Sequence, residues 1–338
     1  MTRRLCLAAA LAFGLCLLAI VPGSGIRAAG LPAQLTDQEF WQFVTESSEP
    51  DGYFRSDNLT SNELWFQYVV PDLMKRTHQG GVYLGVGPEQ NFTYMAAVRP
   101  AMAIIFDIRR GNMLLHLMYK AIFELSNDRA DFVSMLFSKP RPAGLEPAST
   151  VNELFLAFTN APGSDSLYAA NLKAITDRLT SVHQFPLSTS DLAGIGSVYR
   201  AFYANGFRVR PSPSYEDLMI ETDRAGVRRS YLATENNFAT IKALESRNLV
   251  IPVVGDFAGP KAIRAVGTYL NEHGGRVSAF YLSNVEQYLT TATWSVFCRS
   301  VATLPLDQSS TFIRSSSQGG GGFISSLGEM AHEVEFCR

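Results

Sequence analysis

Residues 80–107 constrain the fold more than any other stretch of the chain. Gly80 and Gly81 open an apolar run, Val82 to Leu84, that ends in Gly85-Val86-Gly87-Pro88. Glu89 to Val98 then carries helical spacing, Pro100 turns the chain, and Met102 to Phe106 is apolar throughout and ends in Asp107. This is strand, glycine turn, helix and strand within about thirty residues, one βαβ unit. Short strands without polar alternation are those buried on both faces, as in a parallel sheet between two layers of helices. Leu249 to Val254 and Val277 to Leu282 have the same character, with a helical stretch from Pro260 to Asn271 between them, and Ser310 to Arg314 offers a last strand. The expected fold is α/β, a doubly wound and mostly parallel sheet with a helical insertion.

The insertion is residues 138–248. It opens with a proline-rich loop at 138–150 and continues in helical patterning, interrupted at Arg210 to Ser214. Just before it, Met113, Leu117, Ile122, Leu125, Phe132 and Leu136 recur at helical spacing, which predicts one long or broken helix over Asn112 to Phe137. The α/β domain is therefore expected in two parts, 80–137 and 249–338, with Gly319 to Gly322 a flexible loop near the end. An N-terminal helical segment, 31–79, precedes it. There, Thr36 and Glu39 have capping-box spacing for a helix from Leu35 to Phe43. The densely polar run Ser56 to Glu63 leads into an amphipathic helix, Leu64 to Met74.

Residues 1–30 read as a secretory signal peptide. Arg3 and Arg4 give a basic start, Leu5 to Val21 is apolar, and Ala28, Ala29 and Gly30 are small residues suited to cleavage. The alternative is an uncleaved N-terminal membrane anchor; cleavage would leave no membrane span. The expected location is periplasmic or extracellular. Cleavage also leaves only Cys298 and Cys337, either as one disulfide holding the tail or as two thiols. With 29 Lys and Arg against 31 Asp and Glu, the net charge of −2 lacks the basic footprint of a nucleic-acid-binding protein. The expected partner is a small molecule; oligomeric state is left open.

In a doubly wound sheet, ligands bind beyond the carboxyl ends of the strands, where the strand order reverses. Three strand ends carry marked residues: Gly85 and Gly87, then Asp107, then Gly255-Asp256. Glycines permit a tight turn and close approach of a ligand to backbone, and a carboxylate after the second strand can accept two ribose hydroxyls; the alternative is a glycine turn that only packs a helix on the sheet. Asp107 lies 22 residues after Gly85, close to the roughly 20 of that pairing. Arg109 beside it suits either an anionic ligand group or a neighbouring acid. Asn62 and Glu63, in the polar run before the first strand, are placed either to fold over a ligand or to form a plain capped turn ahead of the next helix.

This constellation resembles the class I S-adenosylmethionine-dependent methyltransferases, most specifically over Gly81 to Arg110 and more loosely over Val250 to Leu289. The resemblance implies S-adenosylmethionine as cofactor, with Gly85, Gly87, Glu89, Asp107, Arg109, Asp256, Asn62 and Glu63 around it. It also implies Asn284 or Glu286 as the group that orients or deprotonates a methyl acceptor. The chain departs from that family in three places. Tyr83 stands where an acid is usual, Glu89 stands where a third glycine is usual, and 149 residues separate Asp107 from Asp256. The stretches GGVYLGVGPEQNFTY and VVGDFAGPKAIRAV also resemble a family of exported bacterial proteins, a likeness that implies no activity.

The chain has no GxSxG, P-loop or HExxH pattern, so serine hydrolase, NTPase and zincin chemistries have no motif. The five histidines are scattered and read as surface or packing residues, and Glu329, His332 and Glu333 read as a solvated tail rather than metal ligands. Two functions stay open: an exported methyltransferase-like enzyme with a nucleoside-type pocket, or a catalytically silent exported protein that binds a small ligand.

Overall fold

The computed structural model describes residues 30–338 except 211, 319–321 and 338, so the signal-peptide reading of residues 1–30 and most of the glycine loop at 319–322 lie outside the described residues. Six strands form one sheet: β1 (Val82–Val86), β2 (Met102–Asp107), β3 (Val250–Val254), β4 (Val277–Ser283), β5 (Thr311–Gln318) and β6 (Gly322–Glu329). Their order is β3-β2-β1-β4-β5-β6. All neighbours pair in parallel except β5 and β6, which form an antiparallel hairpin. This is the order of the Rossmann-like sheet, with the reversal between β1 and β4. Every residue of β2 and β3 is buried, which accounts for their unbroken apolar sequences.

Among the described residues thirteen helices surround the sheet. The first four are α1 (Asp37–Ser47), α2 (Val70–Arg76), α3 (Gln90–Val98) and α4 (Arg110–Leu125). After α5 (Arg129–Phe137), the insertion supplies α6 (Val151–Thr159), α7 (Asp165–Asp177), α8 (Thr189–Asn205), α9 (Tyr215–Ile220) and α10 (Glu235–Glu245). The rest are α11 (Ala262–Glu272), α12 (Thr291–Val301) and α13 (Met330–Glu333). Right-handed crossovers running out from β1 to β3 and back to β4 and β5 must lie on opposite faces. Accordingly α3, α4 and α10 pack together, and α1, α11 and α12 form the other group.

The expected capping box is present, with Thr36 accepting from the Glu39 amide and Glu39 accepting from the Thr36 amide. The predicted helix over 112–137 is two helices, because Ser126 is extended and the Asp128 side chain caps a new start at the Asp131 amide. The predicted helix over 64–74 begins as a 3-10 turn, Phe66–Val69, and becomes α-helical only at Val70, with Pro71 in the first turn. Strand β6 was not expected: Gly322, Ser325, Ser326 and Gly328 hide an edge strand that, among the described residues, pairs only with β5. Cys298 of α12 and Cys337 form a disulfide across 39 residues, with Cα atoms 5.7 Å apart.

The insertion is welded to the α/β body by buried charge. Arg129, 2% exposed, spends all five guanidinium N–H groups on the Glu235 carboxylate and on the carbonyls of Leu232, Ala233, Pro147 and Ser149. His183, just beyond α7, bridges two acids: Nδ1 lies 2.7 Å from Asp37 of α1 and Nε2 lies 2.7 Å from Glu124 of α4. Lys120 completes the cluster at 2.7 Å from Glu124. Burial pulls the His183 pKa down, but Glu124 and Asp37 outweigh it and hold the ring above its usual value.

A raised histidine pKa stabilises fully below its unfolded value, about 6.5, and the contribution is lost as pH rises through the higher folded value. His183→Gln is therefore expected to destabilise the fold by about 1–3 kcal/mol at pH 6 and distinctly less at pH 9. Urea denaturation at both pH values checks this, and equal losses at the two would contradict an ionic clamp.

Candidate ligand site at the carboxyl edge of the sheet

The glycine turn after β1 is shaped from inside by Asn91. Its side-chain amide faces the carbonyls of Val86, Gly87 and Pro88 at 2.9, 3.2 and 2.7 Å, and its Oδ1 accepts from the Tyr83 hydroxyl at 2.9 Å. A Cβ on Gly85 would stand 1.9 Å from Asn91 Oδ1. Gly85 thus makes room for Asn91 and does not face a ligand, a correction to its expected place. Tyr83, in the position of the usual acid, is a buried prop for the same turn. Gly87 has φ +75°, with nothing within 4 Å of where a Cβ would be, and it lines the cavity. Behind it His116 Nε2 lies 2.8 Å from the Gly87 carbonyl, and burial lowers that ring's pKa to about 4.

Asp107 ends β2 and lines the cavity, but its carboxylate is already engaged. Oδ1 accepts from the Arg109 amide at 2.9 Å and from Arg109 Nε at 3.0 Å, and Oδ2 accepts from Nη2 at 2.8 Å. The other end of the same guanidinium donates to the carbonyls of Ser56 and Asp57. Arg109 therefore ties the strand end to the polar run ahead of β1.

That run forms one wall of the cavity: Tyr53, Phe54, Asn58, Thr60, Ser61, Asn62 and Glu63 all line it. It is fixed by buried side chains. Glu63, 1% exposed, accepts from Gln90 Nε2 at 3.0 Å, from the Tyr281 hydroxyl at 2.9 Å and from the Ser283 and Ser315 hydroxyls. Ser283 adopts φ +51° at the end of β4. Glu89 turns the opposite way from its expected role. It is fully buried, accepts from the Ser61 amide at 3.1 Å, and does not line the cavity. Burial raises its pKa to about 7.

On the far side, Asp256 follows β3 and caps its own turn by accepting from the Ala258 amide at 2.9 Å. Asn284 follows β4 and lines the cavity; Glu286 does not, because Arg314 holds it with Nε and with Nη2 at 3.3 Å. Gly87, Asp107, Asp256, Asn284, Asn62 and Glu63 thus meet around one cavity of about 440 Å³, whereas Gly85, Glu89 and Glu286 lie outside its wall. Sequence reasoning missed Phe257, Tyr281 and Tyr288, aromatic residues with no motif, and Thr290 and Thr293 at the start of α12. Among the described residues no cluster of three or more His, Cys, Asp or Glu is arranged to hold a metal ion.

Strand order and topology define an α/β protein whose mostly parallel sheet is compatible with a Rossmann-like fold. The chain belongs to the family described as Domain of unknown function (DUF7790), whose model matches residues 54–184 and 200–334. No curated protein matches the chain. The matched span begins at Phe54, so the polar wall from Phe54 onward belongs to the family's domain, whereas α1 precedes it. No helix of the described residues is long and apolar enough to cross a membrane.

If Gly85 exists to admit Asn91, Gly85→Ala must displace that side chain and cost about 1–3 kcal/mol, the range for overpacking. Adding Asn91→Ala to Gly85→Ala should then cost much less than Asn91→Ala alone. A double-mutant cycle by denaturant unfolding reads this coupling, and strict additivity would contradict it.

Proposed function

We propose that the cavity binds a small nucleoside-type ligand, with S-adenosylmethionine the candidate the sequence suggests. The observation that carries this reading is convergence: the residues that end or follow four neighbouring parallel strands, Gly87, Asp107, Asp256 and Asn284, line one cavity at the reversal of strand order. Its size suits a small molecule. Thr60 supplies a buried hydroxyl without a partner in the cavity wall, which fits a ligand polar group. Phe54, Phe257, Tyr281 and Tyr288 supply aromatic surface for a heterocycle.

Binding without catalysis leads, because three of the four carboxylates at the site are committed elsewhere. Asp107 is held by Arg109 and Glu63 by four donors, while Glu286 is paired with Arg314 outside the cavity. Methyl transfer is the second reading, favoured by Asn284 in the cavity wall beyond β4. It would then act by positioning an acceptor that is nucleophilic without a protein base. A periplasmic or extracellular location fits the Cys298–Cys337 disulfide, since such bonds persist in oxidising compartments. It would also separate the protein from cytoplasmic S-adenosylmethionine, which weighs against transfer and points to another nucleoside-type ligand.

Calorimetry with S-adenosylmethionine and S-adenosylhomocysteine tests the reading. Oδ1 of Asp107 already has two donors and Oδ2 has one, so a single lone pair on Oδ2 remains for a ligand hydroxyl. Asp107→Asn is expected to weaken binding about tenfold, one charge-assisted hydrogen bond, and Asp256→Asn by less. Absence of binding to the wild type would overturn the nucleoside reading.

A further inference from the structure

Glu63 is a buried carboxylate in the cavity wall that takes part in no ion pair among the described residues. Its compensation comes from neutral groups alone: the Gln90 amide and the hydroxyls of Tyr281, Ser283 and Ser315. Four donors match the lone-pair capacity of an ionised carboxylate, about four sites. They stabilise the charge without cancelling it. Around the cavity, Asp107 is neutralised by Arg109, which leaves Glu63 and Asp256 without a cationic partner among the described residues. Buried charge in low dielectric is ordinarily paired with opposite charge. Here the space beside it is a cavity whose wall also carries Tyr53, Phe54 and Tyr281.

Resting on the assignment of this cavity as the ligand site, we propose that it selects an onium cation, a sulfonium or quaternary ammonium group, and that Glu63 is the residue that reads the charge. A primary ammonium needs hydrogen-bond acceptors, and Glu63 could accept from one only by releasing a hydroxyl or amide that already holds it. An onium centre makes no such demand. It is attracted through space by the carboxylate and by the faces of aromatic rings, the combination that recognises methylated ammonium ligands. The buried, unpartnered Thr60 hydroxyl in the same wall supplies a separate polar contact for the rest of the ligand.

The test uses two matched sets of probes on the full chain, by calorimetry. One is S-adenosylmethionine against its neutral thioether, S-adenosylhomocysteine. The other is choline against its neutral isostere, 3,3-dimethylbutan-1-ol, with ethanolamine as the primary-ammonium control. The charged member of at least one set should bind about tenfold or more tighter than its neutral partner, about 1.4 kcal/mol, and choline should bind tighter than ethanolamine. Glu63→Gln should bring the charged-to-neutral ratio towards one, and the ratio, not the affinity for either probe alone, is the readout. Should that variant not fold, the wild-type ratios decide, with Asp256→Asn as the second variant, which should lower the ratio in part. If choline is selected over its isostere while neither nucleoside binds, the onium site stands and the nucleoside reading falls. If both nucleosides bind with equal affinity, or if ethanolamine matches choline, the onium proposal is overturned while the ligand cavity remains. No binding by any probe overturns both.

Discussion

The cavity depends on how one carboxylate, Glu63, is buried. The segment that carries it precedes the sheet in sequence and has no strand of its own, yet Glu63 fastens it to Gln90 of α3, to Tyr281 and Ser283 of β4 and to Ser315 of β5. Desolvating an ion costs several kcal/mol, so the arrangement persists only because four donors are aimed at it together. Losing one hydroxyl would leave the rest strained against a poorly solvated charge. The carboxylate therefore works as a geometric lock joining both sides of the point where the strand order reverses.

Two smaller devices finish the same edge. Arg109 closes on Asp107 with three hydrogen bonds and on the Ser56 and Asp57 carbonyls with the remaining nitrogen, so the second strand end and the polar wall move as one piece. Asn91 holds three successive carbonyls of the glycine turn with one side chain. A site built this way is organised before any ligand arrives, which lowers the conformational cost of binding. It also explains the departures from the methyltransferase pattern. Tyr83 and Glu89, which look misplaced beside a cofactor, serve the scaffold: one supports Asn91, the other receives the Ser61 amide.

Much of the sheet was legible because its physics is local. Continuous apolar runs such as Met102 to Phe106 state burial on both faces, and the glycine turn and Asp107 mark strand ends whatever surrounds them. The helical character of the stretch between β2 and β3 followed from the same periodicity. Side-chain direction was less legible. Nothing near Glu89 in sequence indicates that it turns into the core towards Ser61, or that Glu286 turns to Arg314, since both partners are distant in the chain. The break after Leu125 rested on a single capping aspartate within an otherwise helical pattern. The hairpin strand β6, rich in glycine and serine, gains its structure from pairing with β5 rather than from its own residues.

The claim that a fixed polar wall and four parallel strand ends enclose one ligand site is tested most directly by hydrogen–deuterium exchange with and without saturating S-adenosylmethionine. Protection is expected at residues 58–63, 86–88, 107–109, 255–258 and 283–290, all at the carboxyl edge of the parallel strands. The opposite edge, at residues 78–81 and 273–276, should exchange as before. Protection confined to that opposite edge or to the insertion, or no change anywhere, would contradict the account.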